Sequence, residues 1–248
     1  MGRGYDGLVA AVRGARADRT RVVLEGLHAV KHARRFGAEL ELLLTPDAGA
    51  LARLVDELAP DLAPLDATPV DPDTWDAVTG GPLPSPALGV CRRPHVDVAA
   101  VLTDPAPAPV VLLEDPTHLG NLGAVVRVAA AAGAGGVLTT GRADPWHPSA
   151  VRGAAGLQLA VRTARLAGGV ADLDAVAHDR PLVAFDAGGI ALAAGALPAR
   201  GLLAFGTERH GLSDDVRRRA DLVVSIPMRS GVSSLNLATA VAVALYAG

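Results

Sequence analysis

Five short runs of uncharged, mostly apolar residues set the fold class: Val110 to Leu113, Gly136 to Thr139, Leu182 to Phe185, Leu202 to Phe205 and Leu222 to Ile226. Most are separated by helix-length segments. Strands apolar on both faces with helices between them predict an α/β domain built on a parallel sheet covered on both sides. In such sheets ligands bind beyond the carboxyl ends of the strands, so the loops that follow these runs are where function is sought. The last dozen residues are rich in Ala and Val and predict a terminal helix, with Pro227 stopping the strand before it.

The sheet pattern starts after Thr103-Asp104-Pro105-Ala106-Pro107-Ala108-Pro109, whose three alternate prolines favour an extended connector. The expected division is therefore a first domain over 1–104, a linker over 105–109 and a second domain over 110–248. In the first part, short apolar runs (Val22 to Leu24, Leu40 to Leu44, Leu88 to Cys91) alternate with helical patterns (Leu27 to Phe36, Ala50 to Leu58), which predicts a small α/β domain. The stretch from Asp71 to Pro86, with Gly80-Gly81 and four prolines, reads as a surface loop.

The net charge of −3 hides an asymmetry. Residues 1–35 carry seven arginines and Lys31 against Asp6, Asp18 and Glu25, a net of +5, with His28 and His32 nearby. Residues 45–104 carry ten acids against Arg53, Arg92 and Arg93, a net of −7. Such a basic stretch suits either a nucleic-acid surface or an ordinary solvated helix face. Cys91 stands alone, which excludes an internal disulfide and a cysteine-rich zinc site. No run of about 18 uncharged apolar residues occurs, and the N-terminus lacks the apolar stretch of a signal peptide, so a cytoplasmic protein is expected.

Three loops carry polar groups into helix starts. The first, after Val110 to Leu113, runs from Glu114 to Ala129. Asn121 there can cap a helix, Gly123 permits close approach of another chain or a ligand, and Arg127 offers a planar, permanently charged fork suited to phosphate. The alternative for Arg127 is an ion pair with Glu114 or Asp115 that merely orders the turn. In the second loop, Gly206-Thr207-Glu208-Arg209-His210-Gly211, Glu208 can accept bonds from ribose hydroxyls, backbone N–H groups or an arginine. His210 is open to a metal or base role or to none, and Ser213 is the expected cap of the helix that follows. In the third, Ile226 to Ala238, Ser234 or Asn236 can cap the terminal helix.

Two nucleotide motifs are missing. Gly120 and Gly123 do not form GxGxxG, and no acid ends the next strand. Lys31, the sole lysine, lies outside any glycine loop, so there is no Walker motif. Hydride or phosphoryl transfer is thereby disfavoured, while the basic N-terminal stretch by itself also suits a non-catalytic RNA-binding module.

Taken in order, the three loops resemble the signature motifs of the SpoU or TrmH group of SPOUT RNA methyltransferases. Asn121-Leu122-Gly123 with Arg127 is similar to the first motif, Gly206-Thr207-Glu208 with Gly211 to the second, and Ile226-Pro227-Met228 with Ser234-Leu235-Asn236 and Ala238 to the third. Asp144 to Pro148 and Arg152 to Gly156 resemble the intervening segment, with Ala where a serine often follows the arginine. Leu24-Glu25-Gly26 and Gly89-Val90 give the first domain a weaker likeness to a ribosomal-protein-like RNA-binding domain.

The resemblance implies a deep trefoil knot, a homodimer with sites completed across its interface, and S-adenosylmethionine held by Gly206, Thr207, Glu208, Gly211, Ile226, Met228, Ser234, Leu235, Asn236 and Ala238. It implies transfer to an RNA ribose 2′-hydroxyl, of rRNA sooner than tRNA, with Arg127, Asn121, Glu208, Ser234 and Asn236 as the catalytic group and no metal. RNA contacts are expected from Arg34, Arg35, Arg127 and Arg152.

Overall fold

The computed structural model describes residues 2–176, 179–207 and 210–248. The chain forms two compact units, one of residues 1–95 with 155–160, the other of residues 96–154 with 161–248.

In the first unit the order is α1 (Gly2–Ala17), β1 (Arg21–Glu25), α2 (Leu27–Arg35), β2 (Leu40–Thr45), α3 (Ala48–Leu58), β3 (Thr68–Pro69), α4 (Pro72–Thr79) and β4 (Leu88–Arg92). The strands lie in the order β1-β4-β2-β3, with β4 antiparallel to both β1 and β2. The expected strands and helices form, but the segment after Asp71 corrects the reading as loop. Asp71 accepts from the Thr74 N–H as a cap, Pro72 takes the first helical position and Gly80 ends α4 at φ 67°. These residues punctuate a helix rather than a loop. The 3-10 turn Leu157–Leu159 also belongs to this unit. It enters through Gly156, where a Cβ would lie 2.9 Å from the Ala29 carbonyl oxygen.

In the second unit the order is α5 (Val98–Thr103), β5 (Val110–Leu113), α6 (Leu119–Ala131), β6 (Gly136–Thr139), α7 (Pro148–Gly153), β7 (Thr163–Arg165), α8 (Ala171–Asp174), β8 (Leu182–Ala191), β9 (Leu202–Phe205), α9 (Asp214–Arg219), β10 (Leu222–Ser225) and α10 (Leu237–Ala247). The six strands pair in the order β10-β8-β9-β5-β6-β7, and every pairing is parallel. Side chains of β5 alternate between two cores: Val111 and Leu113 pack with α6 and α10, while Val110 and Leu112 pack with α5 and α9. This is the covered sheet that continuous apolar strands require.

The units divide between His95 and Val96, ahead of the proline-rich stretch that was expected to separate them. The reason is a buried arginine. Arg180 donates from Nε to Leu102 O at 2.8 Å, from Nη1 to Ala108 O at 2.8 Å and from Nη2 to Asp104 O at 3.0 Å. Arg162 Nη2 adds a bond to Asp104 Oδ2 at 2.5 Å. The three prolines of the stretch lack an N–H, and its carbonyls are fastened by arginine side chains to the second unit.

Candidate functional site

The middle of β8 and the loops at the carboxyl ends of β9 and β10 enclose a cleft of about 280 Å³, near the lower end of the roughly 300–1,000 Å³ typical of small-molecule sites. Its walls are mainly apolar, from Phe185, Phe205, Val224, Ile226, Leu235 and Leu237, and its polar groups come from Thr207, Ser233, Ser234 and Asp186. Phe185 and Phe205 stack with ring centroids 4.5 Å apart.

The second loop turns back on itself. Thr207 N–H donates to Gly211 O at 3.2 Å, Gly211 N–H to Thr207 O at 2.9 Å, and His210 N–H to Thr207 Oγ1 at 3.1 Å. Gly206 makes the closure possible, because a Cβ there would collide with the Gly211 carbonyl and the Leu212 nitrogen. Gly211 has φ +65°, where a side chain is strained. The expected cap Ser213 accepts from Val216 N–H and is itself gripped by Glu114, whose carboxylate accepts from Ser213 N–H at 2.7 Å and Ser213 Oγ at 2.6 Å. Glu114 thus ties the end of β5 to the second loop. Glu208 lies outside the described residues.

The first and third loops meet through an asparagine pair. Asn236 caps α10, its Oδ1 accepting from Ala238 N–H at 2.9 Å, and its Nδ2 donates to Asn121 Oδ1 at 3.2 Å. Of the two expected capping candidates, Asn236 takes the role, leaving Ser234 on the cleft wall. Asn121 does not cap α6, which begins two residues earlier at Leu119; its side chain reaches across to Asn236 instead. Ala238 lies in the core with its N–H taken by Asn236, away from the cleft lining. Gly123 serves the approach of α7, because a Cβ would strike the Ala150 carbonyl and sit 2.9 Å from Gly153 Cα.

Arg127 is exposed on α6, about 9 Å along the helix from Asn121. It pairs with neither Glu114 nor Asp115, and among the described residues its side chain has no bonded partner. Arg152 is exposed at the end of α7. In the first unit, Arg34 is exposed, whereas Arg35 is committed to Asp61 through bonds of 2.8 and 2.5 Å. The Arg35 guanidinium holds the Asp61 carboxyl below the usual carboxylate range. Much of the basic stretch is offset in this way, with Arg16 on Glu25 and Arg21 on Asp18 and Glu41.

Residues 108–246, more than half of the chain, match the SpoU rRNA Methylase family. The chain belongs to this family. The crystal structure of the SpoU methyltransferase AviRb from Streptomyces viridochromogenes, in complex with the cofactor AdoMet, superposes with a TM-score of 0.77 at 26% identity, covering 100% of this chain and 97% of that one. A 23S rRNA (uridine(2479)-2'-O)-methyltransferase of Streptomyces viridochromogenes is 34% identical over 55% of this chain and 50% of its own length. A ribosomal RNA small subunit methyltransferase G 2 of Syntrophobacter fumaroxidans is 35% identical over 71% of this chain and 29% of its own length. The chain therefore spans half or less of these two curated relatives.

Against this family frame, seven expected cofactor residues line one cleft: Gly206, Thr207, Gly211, Ile226, Met228, Ser234 and Leu235. Sequence reasoning missed Asp186, which reaches the cleft from within β8. Its signal was an acid two residues before Gly188-Gly189 inside an apolar strand, the mark of an irregular strand.

Proposed function

We propose that this SpoU-family chain is an S-adenosylmethionine-dependent RNA methyltransferase acting on a ribose 2′-hydroxyl of rRNA, with tRNA as the alternative substrate. The observation that carries this reading is the Asn121–Asn236 bond, which joins the wall of an apolar cleft to the helix that presents Arg127. The cleft suits the donor: aromatic and aliphatic walls for adenine, hydroxyls and a carboxylate for the polar parts. When bound, the donor supplies an electrophilic methyl group on a sulfonium.

The protein's part is placement and charge. Arg127 clamps the phosphate beside the target ribose, and that phosphate assists removal of the hydroxyl proton. A guanidinium keeps its own proton near neutral pH, which favours the clamp over a base. Asn121, held by Asn236, orients the ribose, while Ser234 and Leu235 shape the cleft. The first domain captures RNA with Arg34, and Arg152 adds a cation on the catalytic domain.

Two assembly features belong to the same reading. The C-terminal segment is threaded as a trefoil knot: β10 pairs with β8 at the sheet edge, yet α10 packs on α6, which follows β5 three strands away. The enzyme is a homodimer of the cytoplasm, supported by α10, whose Val243 and Tyr246 are exposed on a helix otherwise almost wholly apolar. Among the described residues no helix is long and apolar enough to cross a membrane.

The test is methyl transfer from labelled S-adenosylmethionine to purified rRNA and tRNA, with the product nucleoside identified. A 2′-O-methyl nucleoside in rRNA is the expected product; a methylated base, or no transfer, contradicts the reading.

A further inference from the structure

Strand β8 parts from β10 in its middle. Val223 pairs with Ala184 and the next residue, Val224, with Ile190, so Phe185 to Gly189 arch out with no counterpart on β10. Phe185 still pairs with Phe205 on the β9 side. Gly189 closes the arch against β10, where a Cβ would lie 2.6 Å from Val223 C and Val224 N, and Ser225 Oγ donates to Gly189 O at 3.0 Å. The arch carries Asp186 and Ala187 into the wall of the cleft.

Asp186 is the only ionisable side chain among the described residues lining that cleft. It is also fixed in place. Gly188 N–H donates to Oδ1 at 2.9 Å and Arg217 Nη1 to Oδ2 at 2.9 Å, while Arg217 is anchored by Asp214 at 2.6 Å. The Gly188 N–H, then Arg217, hold the carboxyl below its usual range, so it is ionised at neutral pH. An ionised carboxylate has about four acceptor positions. Two are filled, which leaves acceptor capacity on each oxygen.

Position narrows the ligand group. In the sheet, β8 lies beyond β9 from β5, two strand spacings or about 10 Å from the strand that leads to Asn121 and the acceptor side. Asp186 therefore meets a part of the ligand other than the reacting methyl. A fixed carboxylate with a free acceptor on each oxygen matches two adjacent hydroxyl donors, and Arg217 already offsets its charge, which disfavours a cation.

We infer that Asp186 binds the 2′,3′-diol of the donor's ribose, one hydroxyl on each carboxylate oxygen, with Arg217 as its positioning residue. This rests on reading the cleft as the S-adenosylmethionine site.

The test measures binding of S-adenosylhomocysteine, its 2′-deoxy and 3′-deoxy analogues, and 5′-deoxy-5′-methylthioadenosine to the full-length protein by calorimetry. Wild type is expected to bind each deoxy analogue about 10-fold more weakly than S-adenosylhomocysteine. Asp186→Ala should bind all three alike, more weakly than wild type binds either deoxy analogue, and Arg217→Gln should narrow the discrimination. Asp186→Ala should also lose affinity for methylthioadenosine, which keeps the diol and lacks the amino-acid end. Equal deoxy discrimination in wild type and Asp186→Ala overturns the inference, as does a variant effect confined to ligands carrying the amino group. Absence of S-adenosylhomocysteine binding to wild type instead overturns the cofactor reading and this inference with it. If Asp186→Ala does not fold, the wild-type analogue series and Arg217→Gln decide: no deoxy discrimination in wild type, or undiminished discrimination in Arg217→Gln, contradicts the inference.

Discussion

The cleft and the exposed side of α6 belong to one unit yet are built in opposite ways. The cleft is closed by backbone against backbone at Gly206 and Gly211 and walled by Phe205 and Leu237, which are 3% and 6% exposed. Arg127 on α6 stands in solvent with no bonded partner among the described residues. Several other arginines in the same unit are committed, Arg180 to backbone carbonyls, Arg162 to Asp104 and Arg217 to Asp186 and Asp214. The proposed function accounts for the difference: a small donor calls for a surface shaped in advance, whereas a charged polymer brings its own counter-charge and calls for an arginine left unpaired.

This contrast breaks first at Arg127. Arg127→Ala should lower methyl transfer about 1,000-fold while leaving S-adenosylhomocysteine affinity within about 2-fold; single-turnover assays and calorimetry read the two separately, and a parallel loss of both would merge the two surfaces. Gly206→Ala should act in reverse. A Cβ with no room costs about 1–3 kcal/mol, so cofactor affinity should fall roughly 5- to 150-fold, measured by the same titration.

Asn236 sits where the two surfaces join. Asn236→Ala removes the cap of α10, a loss of about 1 kcal/mol, and should lower the melting temperature by about 2–4 °C. Asn121→Ala leaves that cap in place and should lower it less. The smallest expected effect is in the first unit. Arg34→Ala should weaken RNA binding a few-fold and reduce the salt slope by about 1, and Arg35→Ala should do less because its fork is already on Asp61. Filter binding across salt concentrations distinguishes the two.

What could be read in advance follows from how local each signal is. Strands β5, β6, β8, β9 and β10 were legible because burial on both faces leaves uncharged runs, and the cleft-lining loops because glycine and capping residues cluster where strands meet helices. Three features depended on distant partners. Asn121 has the right chemistry for a cap, but the helix starts at Leu119 and the side chain turns to Asn236, 115 residues away. The proline-rich stretch looked like a free connector because the arginine that binds it, Arg180, comes more than 70 residues later. The basic N-terminal stretch overstated its charge, since Asp61 and Glu41 neutralise Arg35 and Arg21 only once the first unit has folded.

The central claim is that a donor cleft and an unpaired arginine together methylate a ribose in RNA. The most direct measurement is transcriptome-wide mapping of 2′-O-methylation in total RNA from cells with the protein, without it, and with only its Arg127→Ala form. The account predicts a ribose in rRNA that is methylated in the first and unmodified in the other two. An identical 2′-O-methylation map in all three would contradict it.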